Sequence, residues 1–477
     1  MTDLEKGGLE VVRETLNKTG CGFCLAKWTQ VTIHLQTGMT HSCHHPSPHK
    51  IPLNEIKRNP TALHNTMHKK RARKEMLEGN RPKECDYCWN IEDSSDQFSD
   101  RTFKSNEEWS KPYMEEIKGL GWRDDYNPKY VEVSFSNVCN FKCSYCGPAF
   151  SSQWMQESKK FGPYPTFDDF GGLKYLEEQG VMPYNHKEHN PYVEAFWKWW
   201  PDLYNDLHTF RITGGEPLLS QDTWRILDYI LNTDNPNPNL KLAINTNLGI
   251  PDDLYNRFLE KVKQLENSGR IKEFTIFTSA ESTDGQADYI RHGLDFTVWR
   301  NRIDEILTET NRTAIAVMAT YNALSVPRYI HLMEWVFAMK KKHNNPQRYW
   351  ISALTLDSAY LRYPNHQTVK ILPDNFRKYI IECIEYAEKM DTIYPREEIE
   401  VWKNYYTGFT GVEIAKIKRI LDWFDSKDPE HIVKRNRKDF YNFVNTHDKR
   451  RNTNFVETFP EFEEFYLECG KLNKDDE

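Results

Sequence analysis

Eight of the ten cysteines fall in three clumps, Cys21/Cys24/Cys43, Cys85/Cys88 and Cys139/Cys143/Cys146, and this distribution constrains the chain more than any other feature. Isolated thiols serve as small buried hydrophobes, the role expected of Cys383 and Cys469. Thiols at short spacings suit metal ligation instead. Disulfides need an oxidising compartment. The first thirty residues show no basic stretch followed by an apolar run of the kind that marks secretion, so a cytoplasmic protein with reduced thiols is expected. No stretch approaches the roughly 18 apolar residues of a membrane span, and no membrane partner is expected.

Charge excludes a further class. Lys+Arg of 63 against Asp+Glu of 70 leaves a net −7, which provides no global basic field and argues against a nucleic-acid partner. The basic run His68–Lys74 reads as one solvated helix face.

The organisation changes along the chain. Residues 1–95 hold five of the ten cysteines and seven of the sixteen histidines and read as a cysteine-rich domain. The polar Glu92–Asp96 opens a segment, 96–128, that reads as a linker. Short apolar β-type runs then recur at Tyr130–Phe135, Thr209–Thr213, Leu240–Asn245, Glu273–Thr278, Thr313–Ala319 and Tyr349–Leu356. Amphipathic stretches such as Thr223–Leu231 and Leu254–Leu265 alternate with them. That alternation predicts an α/β fold over 129–370, with a parallel sheet curved into a partial (β/α)6 barrel. Residues 371–477 read as a helical C-terminal extension. Trp197, Trp199 and Trp200 are expected to pack a helix onto the sheet.

The strand-like Val131–Phe135 runs directly into a loop of C-x3-C-x2-C form, Cys139-Asn140-Phe141-Lys142-Cys143-Ser144-Tyr145-Cys146. Three thiolates this close can hold three irons of a four-iron cluster and leave one iron open to a small molecule. A structural zinc wants a fourth ligand nearby, and no Cys or His follows before His186. This loop resembles the CX3CXΦC signature of the radical S-adenosylmethionine (SAM) enzymes. The resemblance implies a [4Fe-4S] cluster on Cys139, Cys143 and Cys146, with Tyr145 beside the cofactor and SAM chelating the open iron. An electron then cleaves the sulfonium to a 5′-deoxyadenosyl radical, chemistry that belongs to the cofactor. A reductant such as flavodoxin or ferredoxin is implied as partner.

Further residues extend the resemblance over about 130–360. Gly214-Gly215-Glu216-Pro217 ends the second strand and looks like the family's GGE motif, which implies that Glu216 meets the SAM ammonium. Glycines let the backbone approach closely, and a carboxylate makes charge-assisted bonds to an ammonium. Asn245-Thr246-Asn247 is similar to the family's strand end near the cofactor, which places Asn247 there. Ser279-Ala280-Glu281-Ser282, with Arg291 twelve residues after Ser279, resembles the S-x-D-G segment and arginine of peptide-modifying relatives. On that match Ser279 approaches SAM and Arg291 binds its carboxylate. Glu281 replaces the usual Asp and Ser282 the usual Gly, which leaves the ribose contacts less defined.

In the N-terminal region, Gly38–Cys43 is a G-x4-C and Cys85–Cys88 a C-x2-C. The pattern resembles the twitch domain, the shortened relative of SPASM, and implies an auxiliary [4Fe-4S] cluster on Cys24, Cys43, Cys85 and Cys88. Cys21 is then an extra thiol. A four-cysteine zinc site is the alternative that the same ligands allow. Twitch segments follow the barrel in relatives, whereas this one precedes it. His41, His44, His45 and His49 are expected as hydrogen-bonding neighbours of the centre. The reading is a radical SAM enzyme with a peptide or protein as substrate. Alternatives are small-molecule cofactor or modified-nucleoside synthesis, and a non-catalytic metal-binding interaction protein. The catalytic acid or base is unassigned.

Overall fold

The structure, a computed structural model, describes residues 3–168, 172–343, 348, 352–390 and 408–474. Its contacts divide the chain into two compact units. The first takes Met1–Ser136 with Pro183–Ala243 and Gly269–Lys272, and the second takes Asn137–Met182, Ile244–Ser268 and Glu273–Glu477. Among the described residues the strands are β1 (Gln30–His34), β2 (Met39–His41), β3 (His49–Lys50), β4 (Tyr130–Ser134), β5 (Lys142–Cys143), β6 (Thr209–Thr213), β7 (Lys241–Asn245), β8 (Glu273–Thr278), β9 (Arg291–His292), β10 (Ala314–Tyr321) and β11 (Leu354–Tyr360). Five of the six β-type runs of the α/β region coincide with strands to within two residues. The sixth, Tyr349–Leu356, corresponds to β11, and its residues 349–351 lie outside the described ones.

In the first unit β1 lies parallel to β4, with Gln30–His34 opposite Tyr130–Ser134, and β4 lies parallel to β6. β1 also carries the antiparallel β2, and β2 carries β3. The cysteine-rich region therefore contributes a strand to the parallel sheet itself. Gly38 makes the turn between β1 and β2 at φ +67°, where a Cβ would stand 2.2 Å from the Tyr192 ring. Only glycine fits both the left-handed backbone and that approach. The helix Pro191–Asp206 is capped by the Asn190 side chain, which accepts from Tyr192 and Val193 N–H, and it buries Phe196, Trp199 and Trp200. Leu16, Phe23, Trp28, Met76 and Trp89 form a further core around the cysteines.

Two features depart from the sequence reading. The run His68–Lys74 is not one solvated face, because Lys69, Ala72, Arg73 and Met76 are buried along the helix Met67–Leu77. Their i, i+3, i+4, i+7 spacing is an inward stripe in which two cations stand where apolar residues are usual. The stretch read as a linker carries the helix Asp100–Asn106, whose Arg101, Thr102 and Ser105 are buried.

In the second unit β8, β10 and β11 are parallel neighbours. β10 is buried at nearly every position, as a strand covered on both faces must be. β7 passes from one unit to the other between Ala243 and Ile244. The C-terminal region is helical, with Gly411–Asp425 and Glu430–Arg451 its longest helices among the described residues. Buried Lys340 pairs with both oxygens of Glu413 at 2.8 Å. Among the described residues no helix is long and apolar enough to cross a membrane.

Candidate functional site

The three-cysteine loop is fastened at almost every peptide within the second unit. Ser152 N–H donates to Asn137 O at 2.7 Å, and Cys139 N–H donates to Ser152 Oγ at 3.1 Å. Ser151 Oγ donates to Phe141 O at 2.7 Å. β5 pairs antiparallel with β9, so that Cys143 lies opposite Arg291. The indole of Trp154 donates to Cys143 O at 2.8 Å. Gln367 closes a two-way link to Ser144, accepting its hydroxyl at 2.8 Å and donating to its carbonyl at 3.0 Å. Arg451, at the end of the helix Glu430–Arg451, donates to Lys142 O at 2.7 Å, stands over the Trp154 ring and pairs with Glu157. Cys139 is buried, while Cys143 and Cys146 are half-buried. Burial pushes both Cys143 and Cys146 up, the latter to about 12, while Arg291 and Arg451 act in the opposite direction.

Glu281 and Arg291, which follow β8, meet the same loop. Arg291 donates from Nε to Glu281 Oε2 at 2.7 Å and from Nη2 to Glu281 Oε1 at 2.5 Å. Tyr145 Oη donates to Glu281 Oε1 at 2.7 Å and accepts from Arg291 Nη2. The third nitrogen, Nη1, lies 3.6 Å from Cys143 Sγ. Glu281 thus holds the guanidinium that the family resemblance gives to a cofactor carboxylate. Asn247 donates to Asn140 Oδ1 at 2.9 Å and accepts from Gly249 N–H at 2.7 Å, so it supports the loop from a second side. Ser279 is half-buried at the end of β8. Beside Cys146 lies a cavity of about 580 Å³, lined by Tyr145, Trp154, Tyr164, His366 and Phe443 among others. Burial holds His366 neutral, pushed down to about 3.

The Gly-Gly-Glu segment belongs to the first unit. Gly214 has φ +131°, and a Cβ there would stand 2.8 Å from Ser136 O. Gly215 N–H donates to the same carbonyl at 3.2 Å. The motif is therefore pressed against the end of β4, from which the chain enters Asn137. Glu216 is buried and accepts from Leu218 N–H at 3.0 Å.

Cys24, Cys43, Cys85 and Cys88 line one cavity of the first unit, together with Lys27, His45, Asp100 and Arg101. Cys21 is elsewhere, exposed, its thiol on Gly79 O at 3.1 Å. Burial raises all four thiols, Cys88 to about 11, and for Cys24 the neighbouring cysteines add to burial. Like charges crowded in a dry site disfavour the thiolate until a cation shares them. His41 bonds the Cys43 carbonyl, and His45 pairs with Asp100 at 2.7 Å while stacking on Tyr87. His44 is exposed, and His49 bonds Thr66 Oγ1 at 2.9 Å. Among the described residues, no three Cys, His, Asp or Glu side chains converge closely enough to hold a single metal ion.

No protein-family model matches the chain. No curated protein matches it either. Among solved structures it is similar to Streptococcus suis SuiB bound to precursor peptide SuiA, at a TM-score of 0.30 and 14% identity, over 76% of this chain and 70% of that one. SuiB bound to S-adenosylmethionine gives a TM-score of 0.28 and 14% identity, over 70% and 73%. Superposition this loose assigns neither fold nor function, which rest on the residues themselves.

Sequence reasoning overlooked the fastenings of the three-cysteine loop. Trp154, Gln367 and Arg451 carry no local signature, and Arg451 reaches Lys142 from 309 positions away. The inward cations Lys69 and Arg73 did have a signal, the helical spacing with Ala72 and Met76.

Proposed function

We propose that the chain is a radical SAM enzyme, with a partial (β/α)6 barrel, acting on a peptide or protein substrate. The observation that carries this reading is the C-x3-C-x2-C loop whose peptides are fixed one by one while its three thiols remain without a fourth cysteine. The donor set fits a four-iron cluster. Cys139, Cys143 and Cys146 are all thiols, they lie on one short ordered loop, and Arg291 and Arg451 provide positive charge beside them. When bound, such a cluster supplies the electron that cleaves SAM to the 5′-deoxyadenosyl radical.

The chain's own residues do the rest. Glu216 is held by Leu218 N–H on a tight turn, and its carboxylate accepts the cofactor's ammonium. Arg291 meets the cofactor's carboxylate, and Glu281 and Tyr145 orient its guanidinium beside Cys143. The aromatic cavity beside Cys146 has the volume of a small-ligand site. Cys24, Cys43, Cys85 and Cys88 hold an auxiliary cluster with no open position. The peptide as substrate class rests on the resemblance of the N-terminal cysteine pattern to twitch domains.

Anaerobic reconstitution, iron and sulfide counting, and an assay for 5′-deoxyadenosine under dithionite test the reading. About eight irons per chain and reductive SAM cleavage are expected, from two clusters of the ligation described. A reconstituted protein that makes no 5′-deoxyadenosine would rule the activity out. About four irons with one tightly held zinc would make the N-terminal centre a zinc site.

A further inference from the structure

The cavity beside Cys146 is walled by a chain of rings within the second unit. Trp154 lies 5.4 Å from Tyr164, Tyr164 stacks on Phe443 at 4.9 Å, and His366 tilts against Phe443 at 4.9 Å. Most polar atoms of this wall are committed elsewhere. Trp154 Nε1 donates to Cys143 O, Tyr164 Oη to Glu157 and Tyr145 Oη to Glu281. The rings therefore offer apolar faces and edges, which favour an aromatic guest in offset or edge-to-face contact. Asp168 and Lys174 are the charged side chains of the lining and are of opposite sign, so the interior suits an uncharged group. At about 580 Å³ it has room for a ring and its flanking backbone.

His366 is the polar exception. It is 6% exposed, and burial keeps the ring neutral. Its tautomer follows from Gln367. The Ser144 carbonyl can only accept, so it fixes which end of the Gln367 amide carries the N–H groups. That nitrogen stands 3.4 Å from His366 Nε2 and donates to it, which leaves the ring proton on Nδ1. Nδ1 has no hydrogen-bond partner among the described residues and is not sealed from open space. The cavity thus holds a nearly buried N–H donor that lacks an acceptor, a state that costs free energy until a ligand supplies one.

Two observations bear on where that acceptor comes from. Among the described residues read as meeting SAM in this unit, Tyr145 lines the cavity, whereas Asn247, Ser279, Glu281 and Arg291 do not. Apolar surface also continues outward. Phe150, in the lining, is 51% exposed, and Phe161, which shares Arg450 with Tyr164, is 48% exposed. A ligand that extends past the cavity, as a peptide does, would cover them.

We infer that the cavity seats a tyrosine side chain of the peptide substrate, its ring against Trp154, Tyr164 and Phe443 and its phenol oxygen accepting from His366 Nδ1–H. The inference rests on the reading of a peptide substrate and names the residue that such a substrate presents. Phenylalanine would leave the N–H unanswered, and an indole, which only donates, could not answer it.

Binding of N-acetyltyrosinamide and of N-acetylphenylalaninamide to the full-length, anaerobically reconstituted protein, measured by isothermal titration calorimetry, tests this without turnover. The tyrosine probe should bind roughly fivefold tighter, the worth of one neutral hydrogen bond. His366→Phe keeps the wall aromatic and removes the donor, so it should bring the two probes level while SAM affinity stays as in wild type. Should that variant not fold, Ser158→Trp, which fills the cavity from a half-buried position of its lining, should lose both probes. Equal binding of the two probes by wild type, a preference that survives His366→Phe, or undiminished binding to Ser158→Trp would overturn the inference. So would a loss of SAM affinity in His366→Phe, which would give the cavity to the adenine ring of the cofactor. A wild type that distinguishes the probes but forms no 5′-deoxyadenosine would instead remove the radical SAM reading and leave the tyrosine site standing.

Discussion

The two cysteine sites are built by opposite means. Cys139, Cys143 and Cys146 lie within one short loop, and the second unit spends Trp154, Gln367, Arg451 and the β5–β9 pair on holding its peptides in place. Cys24, Cys43, Cys85 and Cys88 come from separate segments, brought to one cavity by the packing of the first unit. Around the loop, Arg291 and Arg451 are each neutralised, by Glu281 and Glu157. Lining the four-cysteine cavity, Lys27 and Arg101 are answered in the same way, by Glu84 and Glu92. A locally encoded site is stiffened by outside groups, whereas a site assembled from distant segments is held by the packing that brings them together.

The largest effect expected from this contrast is at the loop. Cys139→Ala, or the same change at Cys143 or Cys146, should abolish 5′-deoxyadenosine formation while leaving metal at the N-terminal cysteines. Product from any of the three variants under dithionite would end the assignment of the open iron. The reciprocal change, Cys85→Ala/Cys88→Ala, should lower iron to about half of that in a protein with two four-iron clusters, and leave SAM binding intact. Loss of SAM binding in that variant would mean that the two sites do not load independently.

How much of this was legible in the sequence follows the same division. The loop was legible as a motif because its cysteines, their spacing and the strand before them are all local. The α/β alternation was legible because hydrophobic periodicity is local too, and five strands fell where it put them. The participation of β1 in the parallel sheet was not, since pairing Gln30–His34 with Tyr130–Ser134 is a long-range event with no periodic signal. The basic run at His68–Lys74 misled because lysine and arginine are usually on the surface, and only the neighbours Ala72 and Met76 hinted at an inward face. The pairing of Arg291 with Glu281 was hidden for a different reason: the motif match compared positions, which says nothing of the contacts between the matched side chains.

A smaller effect separates stiffening from ligation. Glu157 is nearly buried between Arg451, Lys142 and Tyr164. Burial alone would raise its carboxyl, but Arg451, Lys142 and Tyr164 more than offset this and hold it at about 2. A carboxylate depressed in the native state contributes its stability above the unfolded value, near 4.5, and loses it as pH falls toward about 2. Arg451→Met leaves that carboxylate buried with less compensation, so apo protein at neutral pH should lose about 3–5 kcal/mol of unfolding free energy by urea titration. The variant should also lose most of the wild-type decline between pH 4.5 and 2. A loss under ~1 kcal/mol would show that Arg451 is dispensable to the loop, far below what breaking a buried pair should cost.

The smallest expected effect falls on Glu216 of the Gly-Gly-Glu turn. The carboxylate is fixed by Leu218 N–H on the turn that follows Gly214-Gly215, and those glycines are pressed on Ser136 O, so its position is set by backbone rather than by flexible side chains. Glu216→Gln preserves shape and the acceptor for Leu218 N–H but removes the charge. A charge-assisted bond is worth about 1.5–3 kcal/mol against roughly 1 for a neutral one, so SAM affinity should weaken by about tenfold. Iron content should stay unchanged, because no thiol is touched. Equilibrium binding of SAM to the reconstituted variant measures the difference directly. An affinity equal to that of wild type would move the ammonium away from Glu216, and the Gly-Gly-Glu turn would then be a device for closing the backbone on the end of β4.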